Sequence, residues 1–185
     1  MVYDKPVEGM TVRLRSIEES DAEISFKMRT DPQKAKFVHP VKGTVENQRE
    51  YIRKQRQIPG DFLFMIEDLQ GNPIGMKGVY NYCPEKKEVE TGRFIGYGSQ
   101  VQNIEALKLS FDFAFDVLKV ERVVMSALEN NTVMLGIQKK FGVEFTYTDR
   151  YEGLEFDNIH SVLTKENYEK TKGKVEALIK RFADR

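Results

Sequence analysis

The sequence has no excess of either charge: 29 basic and 29 acidic side chains cancel over 185 residues. Sequence-independent nucleic-acid affinity comes from clustered Lys and Arg neutralising phosphates, so the balance argues against a general polyanion binder. Cysteine occurs once, at Cys83. A lone thiol cannot close an internal disulfide, which suits a reducing, cytoplasmic setting. Histidine occurs only at His39 and His160; without short His/Cys spacings, no zinc site is expected. Long apolar runs are also missing. The longest is Phe62-Leu63-Phe64-Met65-Ile66, far short of the ~20 residues of a membrane span. The opening Met1-Val2-Tyr3-Asp4-Lys5 has no apolar core like that of a secretory signal. No repeat or Pro/Gly/Ser linker divides the chain, so one domain over 1–185 is expected, with 165–185 as a helical extension. That length can bury roughly 70% of the surface an unfolded chain exposes.

What is present reads as α+β. Residues 11–15 alternate like a strand. Ser20 and Glu23 have capping-box spacing for a first helix carrying Ile24 and Met28, and Asp31-Pro32 stops it. A second helix is expected over 44–56. Strands at 62–68, 73–82 and 88–96, joined by Gln70-Gly71-Asn72 and Cys83-Pro84-Glu85-Lys86-Lys87, make an antiparallel meander. Ile104, Leu107, Phe111, Ala114, Phe115 and Leu118 then recur at helical spacing, with Lys108, Asp112, Asp116 and Lys119 on the other face. A strand at 122–127 completes a crossover between parallel strands. Asn131 caps a helix ending at Phe141, where Gly142 suits a left-handed stop. Strands near 143–151 and 154–163 follow. The final helix presents Val175, Leu178, Ile179 and Phe182 as a docking stripe. Its surface and the edge strands both offer a face for a possible homodimer.

The junction over 88–107 holds the most chemistry. Phe94-Ile95-Gly96-Tyr97-Gly98 ends a strand, and Ser99-Gln100-Val101-Gln102-Asn103 opens a helix. Unpaired amides at a helix N-terminus point outward with about half a positive charge, so phosphate can bind without a basic side chain. The same features also fit a plain strand-to-helix connection. Gly96-x-Gly98 lacks the third glycine of a dinucleotide fingerprint.

Several segments together resemble the GNAT superfamily of N-acetyltransferases, especially the branch of ribosomal-protein N-terminal and amino-sugar acetyltransferases. They are Ile74-Gly75, Glu90-Thr91-Gly92-Arg93-Phe94-Ile95-Gly96, Glu105-Ala106-Leu107, Phe113-Ala114-Phe115, Glu129-Asn130-Asn131 and Lys140-Phe141-Gly142-Val143. The resemblance implies a mixed, mostly antiparallel sheet with one splayed parallel pair and flanking helices. It implies acetyl-CoA as co-substrate, its arm lying between the strand of Glu90–Gly96 and that of Val123–Ala127. Phe94, Ile95 and Gly96 would meet the arm, and Val101, Gln102, Asn103 and Ile104 the pyrophosphate. Asn131 would contact the arm, or simply cap its helix.

The resemblance also assigns roles and exposes departures. Glu90 matches a position for a water-mediated base removing a proton from the attacking amine, although an ordinary exposed carboxylate is the plainer reading. A backbone N–H near Phe94 and Ile95 would polarise the thioester oxygen. Where the family loop has Gln or Arg and glycines, this chain has Gly98, Val101 and Asn103, and no Lys or Arg lies between Arg93 and Lys108. Gln138 stands where many members place a tyrosine that protonates the thiolate; Tyr147, Tyr151 or solvent are the substitutes. Val143 replaces a phenylalanine, and Cys83 is not needed as a nucleophile. The acceptor pocket is expected around Met28, Phe37, Tyr80 and Tyr82, with His39 nearby and His160 packed or lining substrate. The acceptor is a small amine, an amino sugar or a peptide N-terminus. The alternatives are a non-catalytic binding domain on this fold, or a transferase using another acyl-CoA.

Overall fold

The chain builds eight strands among the residues described: β1 (Val7–Glu8), β2 (Val12–Ser16), β3 (Phe62–Asp68), β4 (Pro73–Cys83), β5 (Glu88–Gly96), β6 (Arg122–Leu128), β7 (Glu144–Asp149) and β8 (Asn158–Thr164). The computed structural model describes residues 1–150, 152 and 155–183. The strands form one sheet in the order β1-β2-β3-β4-β5-β6-β8-β7. Every adjacent pair is antiparallel except β5 and β6. Helices α1 (Ala22–Thr30) and α2 (Val45–Gln55) cover one face, where Ile17, Met28, Ile52, Leu63, Met65, Met76 and Ile95 pack together. The other face carries α3 (Gln100–Asp112), α4 (Thr132–Lys140) and α5 (Lys165–Ala183), closing over a larger core. Alternation along β3 divides the two: Phe62, Phe64 and Ile66 face α3, whereas Leu63 and Met65 face α1.

Several local signals act as the sequence suggests. Thr44 caps α2 reciprocally with Asn47, and Asp31 adopts extended backbone to end α1. Gly142, at φ +80, stops α4. The α1 cap differs from expectation. Asp21, not Glu23, reaches back to the Glu18 N–H at 2.8 Å, and a short 3-10 turn precedes α1. Asp21 is drawn there by Arg15, which it meets at 2.7 Å. Both of the last two strands begin later than the pattern suggests, at Glu144 and Asn158; the first ends earlier, at Asp149, and the second runs to Thr164. Tyr151 and Leu154 lie outside the described residues.

The central helix is buried more completely than its pattern implies. Lys108 and Asp112, on its polar face, are covered by α5: Lys108 Nζ meets Asp112 at 2.6 Å and Glu176 at 3.0 Å, and Tyr168 donates to Asp112 at 2.8 Å. On α5 itself Val175 and Ile179 are buried and Leu178 packs partly against the core, so the C-terminal stripe docks internally up to Phe182, which is 44% exposed. At the other end of α3, buried Glu105 accepts from the Met10 and Thr11 amides at 2.6 and 2.7 Å, anchoring the β1–β2 turn. A π-helical turn at Phe113–Val117 extends α3. It drives Phe113 edge-on into Tyr3, Phe62 and Phe64, with ring centroids 5.0–5.1 Å apart.

One feature of the sheet positions everything that follows. The parallel β5–β6 ladder holds only Glu88↔Arg122, Val89↔Val123 and Glu90↔Val124. Beyond it, β5 continues to Gly96 against β4, and β6 continues to Leu128 against β8. The two strands diverge, leaving two facing strand edges with no ladder between them.

Candidate active site

Two bulges shape the wall beside this gap. In β5, Gly92 pairs with Gly78 and Ile95 with Met76, so Arg93 and Phe94 together oppose Lys77. Arg93 takes a left-handed conformation, φ +53. Two residues against one is the geometry of a β-bulge, which re-aims side chains and disrupts the ladder. Phe94 turns toward the α3 side, while Arg93 turns toward α1 and α2. There it bonds Asp61 at 2.8 and 3.0 Å, and its guanidinium carbon lies 4.1 Å from the Tyr80 ring centroid. Burial works against the Arg93 charge, but the Asp61 carboxylate outweighs it and holds the guanidinium protonated.

The second bulge lies in β4, where Tyr80 pairs with Glu90 and Cys83 with Glu88. Asn81 is left-handed, φ +54. The extra residue places Tyr80 and Asn81 both beside Glu90: the Tyr80 hydroxyl donates to Oε1 at 2.9 Å, and Asn81 Nδ2 donates to Oε2 at 2.8 Å. Burial, then the neighbouring carboxylate, push the Tyr80 phenol well above its ordinary pKa, so it remains a donor. Gly92 makes the room. A Cβ at that position would overlap the Tyr80 hydroxyl.

The same bulge corrects the expected acceptor lining. Strict alternation would put Tyr80 and Tyr82 on one face. The inserted residue flips Tyr82 to the α3 side, where its hydroxyl donates to the Leu118 carbonyl at 3.2 Å. Met28 is 3% exposed and packs in the core beneath α1, not at a surface. Phe37 and Tyr80 do line a cleft of about 670 Å³, with Arg29, Lys36, His39, Glu90 and Arg93. That volume lies within the 300–1,000 Å³ of small-molecule sites. Glu90 is the cleft's one carboxylate among the described residues, against Arg29, Lys36 and Arg93. Arg29 donates to the His39 carbonyl at 3.0 Å, and its Nε is buried without a partner among those residues.

On the opposite face, a narrow slot enters the β5–β6 gap. Its walls include Lys77, Thr91, Phe94, Ser126, Asn131 and Gln138. Phe37, Gly92 and Arg93 line both slot and cleft, so the two meet around β5. Asn131 caps α4, accepting from Met134 N at 3.3 Å, and also borders the slot. Ile95 faces the α1 side, Gly96 pairs with Gly75, and Ile104 is buried under α3. Tyr147 is 59% exposed on β7, stacked 4.2 Å from His160, so it does not reach the slot. His160 also meets Asp149 at 3.0 Å and Asn158 at 3.0 Å; Asn158 lines the cleft, His160 itself does not.

The start of α3 is already partly satisfied. Ser99 N–H donates to Gln102 Oε1 at 2.8 Å, and Gln102 N–H to Ser99 Oγ at 3.3 Å. Asn103 Nδ2 bonds the Gly98 carbonyl at 3.0 Å, and Val101 is half-buried against the core. Tyr97 ties the preceding loop to α1 by donating to Asp31 at 2.6 Å. Lys140, at the end of α4, borders the same surface as Ser99, Gln100 and Val101. Tertiary structure thus brings a cation to a loop that has none in sequence.

Residues 11–144 match the family model described as Acetyltransferase (GNAT) domain. The chain belongs to this GNAT family. Solved GNAT structures share its fold. A GCN5-related N-acetyltransferase from Brucella melitensis aligns at TM-score 0.82 and 18% identity, over 96% of this chain and 86% of that one. An apo nucleotide-linked sugar GNAT aligns at TM-score 0.80 and 21% identity, over 93% and 97%. A spermidine N-acetyltransferase from Vibrio cholerae, solved with CoA and spermine, aligns at TM-score 0.78 and 14% identity, over 87% and 99%. No curated protein sequence matches the chain. Three features of this GNAT domain escape local sequence reading: the two bulges, Lys77 in the slot, and the basic cleft lining. Only the αL preference of Asn at position 81 gave any signal.

Proposed function

We propose that the protein is an acetyl-CoA-dependent N-acetyltransferase whose acceptor is a primary amine that also bears an anionic group. The observation carrying this reading is the β5–β6 divergence, bulged at Arg93 and Phe94, with Glu90 facing a cleft that meets the slot. Free strand edges offer N–H and C=O groups to the amide-containing arm of coenzyme A, and Leu107, Phe111, Met125 and Phe141 give the slot apolar walls. Gln100, Val101 and Lys140 face the diphosphate position, with the Ser99–Gln102 pair yielding its N–H groups on binding.

Chemically, acetyl-CoA supplies an activated acyl carbon. The chain orients the amine, receives its proton and polarises the carbonyl. An alkyl amine is mostly protonated near pH 7, so attack requires a proton acceptor. Glu90, fixed by two neutral donors, keeps its remaining lone pairs for a bridging water. The bulge leaves Arg93 and Phe94 out of regular pairing, which supports a backbone N–H there as donor to the developing oxyanion. The cleft charge favours an acceptor with phosphate or carboxylate over a polyamine, because like charges meeting Arg29 and Lys36 oppose binding.

Thermal-shift titration with coenzyme A, acetyl-CoA and longer acyl-CoAs tests the donor; saturation at 100 times Kd stabilises by about 2.7 kcal/mol. Free-thiol release with matched amines then tests the acceptor. Amino-sugar phosphates and acidic peptide N-termini are expected to outcompete spermidine. Absence of any CoA-dependent shift at millimolar concentration supports the non-catalytic binding domain instead.

A further inference from the structure

Lys77 lies in the middle of β4, the fourth strand of eight, with its α-carbon flanked by the buried Met76 and Gly78. Alternation puts its side chain on the α3 face with Val79. It is 3% exposed, yet among the described residues no hydrogen bond or ion pair reaches its ammonium. Buried lysines are rare without a partner, because an unpaired ammonium loses its hydration. Lys77 does have a neighbour of another kind: it borders the slot directly opposite the Arg93–Phe94 bulge.

Departure of the thiolate is eased by a proton donor within the slot. Of the polar groups lining it, Thr91 and Ser126 are alcohols and Asn131 and Gln138 are amides, none of which yields a proton near neutrality. Arg93 is held protonated by Asp61. Lys77 is the remaining candidate. We infer that Lys77 is the general acid of the reaction, its ammonium giving a proton to the sulfur as the acyl group leaves. The inference rests on the acetyl-transfer reading above. In the step, the amine nitrogen forms a bond to the acyl carbon and the carbon–sulfur bond breaks. The electron pair passes to sulfur, which takes a proton from Lys77 Nζ. The proton lost by the amine leaves toward Glu90, and solvent later reprotonates Lys77.

The electrostatics agree with the geometry. Burial lowers the Lys77 pKa to about 7, opposed by Glu90. A thiol of about 8.5 lies close enough to Lys77 for the proton to be shared between them, and the charged Lys77 stabilises the departing thiolate. The charged groups near Lys77 are Glu90 and Arg93 on β5; β3, α3, β6 and α4 present Phe64, Leu107, Phe111, Met125 and Gln138.

The test compares wild type with Lys77→Met and Lys77→Arg. First, coenzyme A bound to each is titrated by the ultraviolet absorbance of its thiolate. The Lys77 ammonium favours the bound thiolate, so the methionine variant is expected to shift that titration upward by at least about one pH unit. Equal titrations overturn the inference. Second, kcat for acetyl transfer is expected to fall roughly 10²-fold or more in Lys77→Met, with KM for acetyl-CoA within about threefold. The arginine variant keeps the charge but holds its proton too tightly to restore turnover. A methionine variant with wild-type kcat overturns the inference. If Lys77→Met does not fold, Lys77→Gln gives the same two readouts. If coenzyme A binds but no amine is acetylated, the proposed function fails and the thiol titration still decides Lys77. If coenzyme A does not bind, both fall.

Discussion

Tyr80 donates its phenolic hydrogen to Glu90 across the β4–β5 pair, at 2.9 Å. Asn81, displaced by its own bulge, holds the second carboxylate oxygen at 2.8 Å. A carboxylate oriented by two neutral donors keeps one geometry toward the cleft, which is what a base working through water requires. Glu90→Gln is therefore expected to lower kcat at pH 7 by about 10²-fold. The deficit should shrink as pH rises, because more of the amine is already neutral. A pH–rate profile parallel to wild type removes Glu90 from the base role.

Gly92 is the packing counterpart of that pair. A Cβ there collides with the Tyr80 hydroxyl, so Gly92→Ala is expected to cost about 1–3 kcal/mol and to reduce turnover. Tyr80→Phe removes the colliding atom. In a double-mutant cycle read by chemical denaturation, the double variant should recover part of the stability lost by Gly92→Ala. Strict additivity contradicts the contact.

On the proposed function, the diphosphate of coenzyme A would compete with the Ser99–Gln102 reciprocal cap for the same N–H groups. Gln102→Ala frees the Ser99 amide. Coenzyme A binding is expected to tighten by a factor of about two to five, in line with one helix-terminus interaction of 0.3–1 kcal/mol. The free protein loses a few tenths to about 1 kcal/mol of helix stability. Calorimetric titration checks the first and thermal denaturation the second.

Much of the scaffold was readable along the chain. β3 and β5 begin and end where the apolar run and its turns say, because their turn residues and alternation agree. The diverging parallel pair follows from the crossover and the GNAT resemblance. The acceptor side was only half legible. Phe37 and Tyr80 line the cleft, but Tyr82 does not, since a single left-handed residue at Asn81 reverses alternation beyond it. Met28 fills the core under α1 because its helix packs directly on the sheet. Lys77 gave no signal, as a lysine in an alternating strand reads as solvent-facing until both faces of β4 are seen to be covered.

Burial of Lys77 also couples stability to pH. Its folded pKa, about 7, lies below the unfolded value near 10.5. Between those values the unfolded chain binds the extra proton, so stability rises with pH. The penalty is fully present below pH 7 and vanishes above about 10.5. Each pKa unit is worth about 1.4 kcal/mol. Lys77→Met is expected to raise Tm at pH 6 by about 5 °C or more, with the gain shrinking toward pH 10. A pH-independent Tm difference places the lysine in contact with water.

The gap between β5 and β6 is the feature on which the functional account depends. Calorimetric titration of coenzyme A into wild type and into Ser126→Trp, which fills the gap from β6, measures it directly. The account predicts one site per chain in wild type and loss of binding in the tryptophan variant at unchanged fold. Equal binding by the two, or no binding by wild type at millimolar coenzyme A, contradicts it.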